Sequence, residues 1–247
     1  MLECEGLKVF YENALAVNDL SLRVEEGELV GVFGSNSAGK TTLLNTIAGL
    51  TTHLLKRERR KGGMRITIAG SLSFAGEEIG ALSPRARAER GIILCRERHP
   101  VFRDNTVEEN LRLGGYLRPR REIAASLEQV YQLFPPLLLL RGRRAGILSG
   151  GEQEMVAIGI ALVARPRLLL MDEPLLGLSP RMQAEVVRGV REISKRGVTI
   201  LLSEQYARPV LPFIDRGYVI ENGNLVASGT GKELLDNPEV KSAYFGV

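Results

Sequence analysis

Cysteine is nearly absent from this 247-residue chain, with Cys4 and Cys95 the only two. Two thiols cannot build a disulfide framework, so a chain of this length is expected to rest on a buried core in a reducing compartment, as one domain or two closely joined lobes. Long apolar runs are missing too. Leu137–Leu140 and Met155–Ala164 are the most apolar stretches, and both fall far short of the ~20 residues that span a bilayer. The start, Met1-Leu2-Glu3-Cys4-Glu5, is acidic and lacks an apolar core, so no signal peptide is expected and any membrane attachment should come through a partner.

A strong charge imbalance is also lacking, with 33 basic against 29 acidic residues. Tryptophan is absent and aromatics make up 5% of the chain. The basic clusters Lys56-Arg57-Glu58-Arg59-Arg60-Lys61, Arg118-Pro119-Arg120-Arg121 and Arg141-Gly142-Arg143-Arg144 have no aromatics between them, which argues against a base-stacking surface and a nucleic-acid partner. They read as solvated loops or helix ends. A second reading sets one or more of them beside anionic lipid headgroups. His53 and His99 lack metal-ligand spacing and read as exposed loop residues.

What the chain does have is a phosphate-binding pattern. Gly34-Ser35-Asn36-Ser37-Ala38-Gly39-Lys40-Thr41 fits G-x-x-x-x-G-K-[ST], in which successive backbone N–H groups and the following helix N-terminus hold an anion. Glu28–Phe33 reads as a buried strand before it, and Thr41–Leu50 as a helix after it with Leu43, Leu44, Ile47 and Ala48 on its apolar side. Strand, glycine turn and helix are the setting this motif requires. Lys40 is then expected to reach the β- and γ-phosphates of ATP, and Thr41 to ligate Mg²⁺.

Two further motifs stand downstream. Ser149 and Glu152 have the spacing of a helix capping box ahead of the apolar Met155–Leu162. Capping does not need Gly150-Gly151, and two glycines at a positive helix end let another molecule approach the backbone, which suggests a second phosphate site. Leu168-Leu169-Leu170-Met171 then leads into Asp172-Glu173. Because adjacent strand residues face opposite ways, the two acids should divide the work: Asp172 suits Mg²⁺, and Glu173 suits the general base that polarises the attacking water.

Strands alternating with helices predict an α/β architecture with a mostly parallel sheet. Residues 1–32 differ. Leu7–Tyr11, Leu20–Val24 and then Arg65–Gly70 alternate like half-exposed antiparallel strands. Residues from about 97 to 164 read as mostly helical, through Val107–Leu113 and Ile123–Phe134, and strands return at Leu168–Asp172, Val198–Ser203 and Tyr218–Glu221.

These residues together resemble the nucleotide-binding subunit of ABC transporters, over nearly the whole chain and most specifically in Leu148-Ser149-Gly150-Gly151-Glu152-Gln153. The resemblance implies one ABC ATPase domain over 1–247: a P-loop NTPase (RecA-like) α/β core with an N-terminal antiparallel β subdomain, at about 1–96 and 165–247, and an inserted α-helical subdomain at about 97–164. It implies that Tyr11 stacks on adenine and that Gly34 to Thr42 hold the phosphates. It implies that Glu97 stands where the family usually has a glutamine that contacts Mg²⁺ and senses the membrane subunit. Ser149 to Gln153 would close on a partner's ATP, Leu175–Pro180 would be a dimer-contact loop, and Gln205 falls where most members have a switch histidine.

The departures point to a subfamily. Glu97 ahead of Val101–Leu111, Gly177-Leu178-Ser179-Pro180, Ser203-Glu204-Gln205 and the ending Ala243-Tyr244-Phe245-Gly246 look like an ATPase subunit of branched-chain (hydrophobic) amino-acid importers. That implies a cytoplasmic protein, peripheral at the inner face of the cell membrane, working with transmembrane permease subunits, a second ABC ATPase subunit and, indirectly, a substrate-binding protein. A lipopolysaccharide-export ATPase is the closer rival, a non-transport ABC ATPase the more distant one. Ser37 replaces a usual glycine, which would strain the loop if that position needs a positive φ.

Overall fold

The computed structural model describes residues 1–98, 100–237 and 240. His99 and the ending Ala243–Gly246 lie outside the described residues. Two sheets carry the fold. In chain order the first elements are β1 (Leu2–Tyr11), β2 (Ala14–Val24), β3 (Leu29–Phe33), α1 (Lys40–Ile47), α2 (Leu50–Arg59), β4 (Ile66–Phe74), β5 (Glu77–Glu78), α3 (Pro84–Glu89) and β6 (Ile92–Cys95). There follow α4 (Val107–Gly114), α5 (Arg120–Leu133), α6 (Pro135–Leu139), α7 (Gly150–Val163), β7 (Leu168–Asp172), α8 (Pro180–Lys195), β8 (Thr199–Glu204), β9 (Arg216–Glu221), β10 (Asn224–Gly229) and α9 (Gly231–Asp236).

The first sheet is antiparallel in the order β2-β1-β4-β5, and the second runs β10-β9-β3-β8-β7-β6 with only the β9–β10 pair antiparallel. This is the expected mostly parallel α/β sheet with an antiparallel β layer beside it. Alternation explains the second sheet's apolar runs. Leu29 and Phe33 face one core cluster while Val30 and Val32 face the other, and Leu169 and Met171 divide from Leu168 and Leu170 in the same way. A sheet covered on both faces needs no polar side, so its strands read as continuous hydrophobic segments.

The region after the phosphate motif corrects the sequence reading. The helix expected over Thr41–Leu50 stops at Ile47, Gly49 takes a left-handed φ of 84°, and a second helix begins at Leu50. His53 therefore sits exposed on α2 and not in a loop. The basic run Lys56–Arg59 occupies the last turn of α2, where positive side chains complement the helix dipole.

Arg87 of α3 ties this corner together from the inside. It is fully buried, and its guanidinium donates to Thr46 O at 2.6 Å, Ile47 O at 2.8 Å, Gly80 O at 3.0 Å and Thr52 Oγ1 at 3.3 Å. Carbonyls at the end of α1 thus gain a charged donor. Burial pulls the guanidinium pKa down to about 10, so it stays charged at neutral pH. The same physics keeps both cysteines as inert thiols: burial pushes Cys4 up to about 12 and raises Cys95 well above its usual value.

Candidate functional site

The loop between β3 and α1 wraps a cleft of about 470 Å³ whose walls include Ser37, Gly39, Lys40, Thr41, Thr42, Glu97 and Glu173. A cavity of that size accommodates a small-molecule ligand. Gly39 precedes α1 with φ 104°, and a Cβ there would stand 2.3 Å from Ala16 O. No larger residue fits. Ser37 holds φ 66°, so the strain anticipated for a serine at this position is present, at roughly 1–3 kcal/mol for such a conformation.

Lys40 is not a surface residue, as a loop position would suggest; its side chain is 4% exposed. Its Nζ donates to Gly34 O at 2.9 Å and Ser35 O at 3.0 Å and lies 3.0 Å from Glu173 Oε1. Asp172 Oδ1 accepts from Ser203 Oγ at 2.7 Å and from Thr41 Oγ1 at 3.2 Å. The loop's two key side chains therefore each meet one of the two adjacent acids.

Strand alternation does not produce that division. Glu173 has already left β7 and sits in a turn with φ 47°, with its N–H bonded to Ser203 O at 3.0 Å and also 3.2 Å from Ser203 Oγ. A left-handed, buried, non-glycine residue is the kind of local strain that concentrates at reactive sites. Thr41 Oγ1 and Asp172 Oδ1 are hard oxygen donors side by side, which suits Mg²⁺ held by few protein groups and completed by phosphate oxygens and water. Among the described residues no group of three or more His, Cys, Asp and Glu could form a self-sufficient metal cage.

Glu97 lines the same cleft and pairs with Arg98 at 3.7 Å. Tyr11 does not line it. That ring is half-buried against the core of the antiparallel sheet, and Ala16 of β2 supplies the wall instead. Gln205 lies in a neighbouring cavity of about 380 Å³, shared with Glu204, Leu176 and Tyr206, and Glu173 borders both spaces.

Ser149–Gln153 stand apart from the cleft. Ser149 caps α7 reciprocally with Glu152: the Ser149 N–H donates to Glu152 Oε2 at 2.8 Å and the Glu152 N–H to Ser149 Oγ at 3.4 Å. Gln153 turns inward, donating to Ala145 O at 3.0 Å and Leu148 O at 3.2 Å. Gly150 is exposed. Gly151 has a second reason to be glycine, since a Cβ there would meet Met182 of α8 at 2.4–2.9 Å. Only Gly150 leaves a free approach.

Sequence reasoning gave Glu204 no chemical role of its own. It is 4% exposed, accepts from the Leu175 N–H at 2.9 Å, and burial drives its carboxyl up to about 8. The folded state therefore holds its proton more tightly than the unfolded chain. Its contribution to stability is full below about pH 4.5 and is lost as pH rises towards about 8. Glu204→Gln should flatten the fall in melting temperature across that window; an unchanged slope in thermal melts at stepped pH would assign the effect to another group.

The family profile described as ABC transporter covers residues 17–176. The chain is 38% identical over 246 residues, all of both chains, to the high-affinity branched-chain amino acid transport ATP-binding protein BraG of Pseudomonas aeruginosa. It is 31% identical to the lipopolysaccharide export system ATP-binding protein LptB of Haemophilus influenzae, covering 100% of this chain and 97% of that one. A crystal structure of the ADP conformation of an ATP-binding cassette of an ABC transporter superposes with a TM-score of 0.83 at 27% identity, over 100% and 99% of the two chains. The chain belongs to the ABC transporter family as an ATP-binding, transport-type ATPase subunit.

Proposed function

We propose that this subunit hydrolyses ATP to power uptake of branched-chain or other hydrophobic amino acids through a separate permease. Lys40 would exchange Glu173 and the loop carbonyls for the β- and γ-phosphates, and Tyr11 would meet the adenine. Freed of Lys40, Glu173 would polarise water for in-line attack on the γ-phosphoryl, a role general bases fill at about 10²–10⁴-fold. Mg²⁺, held by Thr41 and Asp172 with Glu97 nearby, would neutralise developing phosphate charge. Gln205 can donate to the γ-phosphate without carrying charge.

Ser149–Gln153 do not line the phosphate cleft of their own chain, which supports a head-to-tail pair in which each chain's α7 N-terminus completes its partner's site. The Glu204 contact with Leu175 would link that interface to the Gln205 side.

One observation carries the coupling. Residues close in sequence border two cavities: Glu97 and Arg98 line the phosphate cleft, while Cys95 and Pro100 line an apolar groove of about 300 Å³ with Tyr116, Leu117 and Ile160. A cytoplasmic permease helix seated in that groove would push on the cleft through one short segment. For the substrate, 38% identity to BraG against 31% to LptB favours import over lipopolysaccharide export, and Ser203-Glu204-Gln205 supports the same choice. Tyr116, 87% exposed in the groove, offers the test. Tyr116→Glu should leave basal ATPase intact and remove its stimulation by reconstituted permease and loaded binding protein, with leucine uptake into proteoliposomes falling in step. A complete complex that turns over ATP yet moves no branched-chain amino acid would overturn the substrate.

A further inference from the structure

Helix α2 ends in a run of positive charge that nothing among the described residues neutralises, and we propose that this turn docks on anionic phospholipid headgroups. Arg57, Arg59, Arg60 and Lys61 are all exposed. Among the described residues none of the four side chains has an ion-pair or hydrogen-bond partner, whereas Glu58, the only acid in the run, is 3.7 Å from Arg65 Nε and accepts from the Arg65 N–H at 3.1 Å. Lys56 is spent on Ala81 O at 2.7 Å. The cations are therefore free to meet an external anion.

An apolar side chain flanks the run in sequence on either side. Met64 is 89% exposed and Leu54 45% exposed. A large thioether presented to water next to four free cations suits the boundary between headgroups and acyl chains, where cations meet phosphates and methionine leaves water. A nucleic acid would use neither apolar group, and the run lacks an aromatic for base stacking.

The helix is also held rigidly enough to present the turn. Thr51, Thr52 and Leu55 are buried, and Arg87 and Lys56 bind α2 to α3 and the loop before it. Ala88, the residue after Arg87, lines the groove assigned above to the permease. The orientation towards the bilayer rests on that reading; the lipid binding does not.

The test is sedimentation of the full chain with vesicles of phosphatidylcholine alone or mixed with phosphatidylglycerol, at low and high salt. The protein should pellet with the anionic vesicles at low salt and be released by high salt. Each free cation contributes about fivefold, so Arg57→Gln/Arg59→Gln/Arg60→Gln/Lys61→Gln should lower partitioning on the order of a hundredfold or more. Basal ATPase and the melting temperature should stay unchanged. Arg57→Lys/Arg59→Lys/Arg60→Lys should retain binding. Met64→Ser should cost a few-fold more that salt does not mask. Arg120→Gln/Arg121→Gln/Arg143→Gln/Arg144→Gln removes the same charge elsewhere and should bind almost as wild type. No preference for anionic vesicles, or an equal loss in this control, would overturn the proposal and return the turn to an acidic protein segment or to general charge. The vesicles contain no permease, so failure of leucine transport and failure of lipid binding are separate results.

Discussion

Glu173→Gln is expected to lower ATP turnover by about 10²–10⁴-fold while leaving nucleotide affinity nearly unchanged. The amide keeps the side chain's shape and still offers an oxygen to Lys40, whose Nζ lies 3.0 Å from Glu173 Oε1. What it loses is the basicity that orients water. A site that binds ATP but cannot cleave it should hold two chains closed, because the exposed Ser149–Gly150 end of α7 has no phosphate of its own chain to meet. Size-exclusion chromatography should then show a dimer with ATP and Mg²⁺ and a monomer without. Hydrolysis at the wild-type rate would move the base elsewhere, with Glu204 next in line because burial already raises its carboxyl to about 8.

The phosphate loop and its flanking elements could be read from the sequence because their signals are local. A fully apolar strand such as Leu29–Phe33 announces burial on both faces, and Ser149 with Glu152 announces a capped helix start, found here with both reciprocal bonds. The antiparallel layer showed itself through alternation at Leu7–Tyr11. Short elements carried too little pattern. Ile92–Cys95 is a strand of four residues at the sheet edge, below the length at which periodicity separates a strand from a turn.

Long-range facts were not legible. Glu173 looks like the last residue of a strand, yet β7 ends at Asp172 and Glu173 takes φ 47°, with its N–H held by Ser203, thirty positions away. Arg87 sits in a stretch of alternating arginines and alanines that carries no apolar stripe to announce burial. Its burial follows from the carbonyls that α1 leaves open, and those become visible only once α1 ends at Ile47 and not at Leu50. The signal that could have found it was Gly49, whose role as a helix stop shortens α1 and exposes the need for a donor there.

Lys40→Ala is expected to remove ATP hydrolysis and most nucleotide affinity, and to cost stability as well. The second expectation comes from burial. Lys40 and Glu173 are 4% and 8% exposed, and removing the ammonium leaves a carboxylate in the interior facing two unsatisfied carbonyls, Gly34 O and Ser35 O. Breaking a buried pair from one side costs about 3–5 kcal/mol, mostly for the stranded charge. Lys40→Ala/Glu173→Gln removes both charges and should recover much of the stability without recovering any turnover. Thermal melts of the two single variants and the double, beside titration of ATP binding, separate the two effects. Lys40→Ala melting like wild type at every pH would show that the pair contributes nothing to the fold, and full hydrolysis by a well-folded Lys40→Ala protein would remove the phosphate-loop assignment itself.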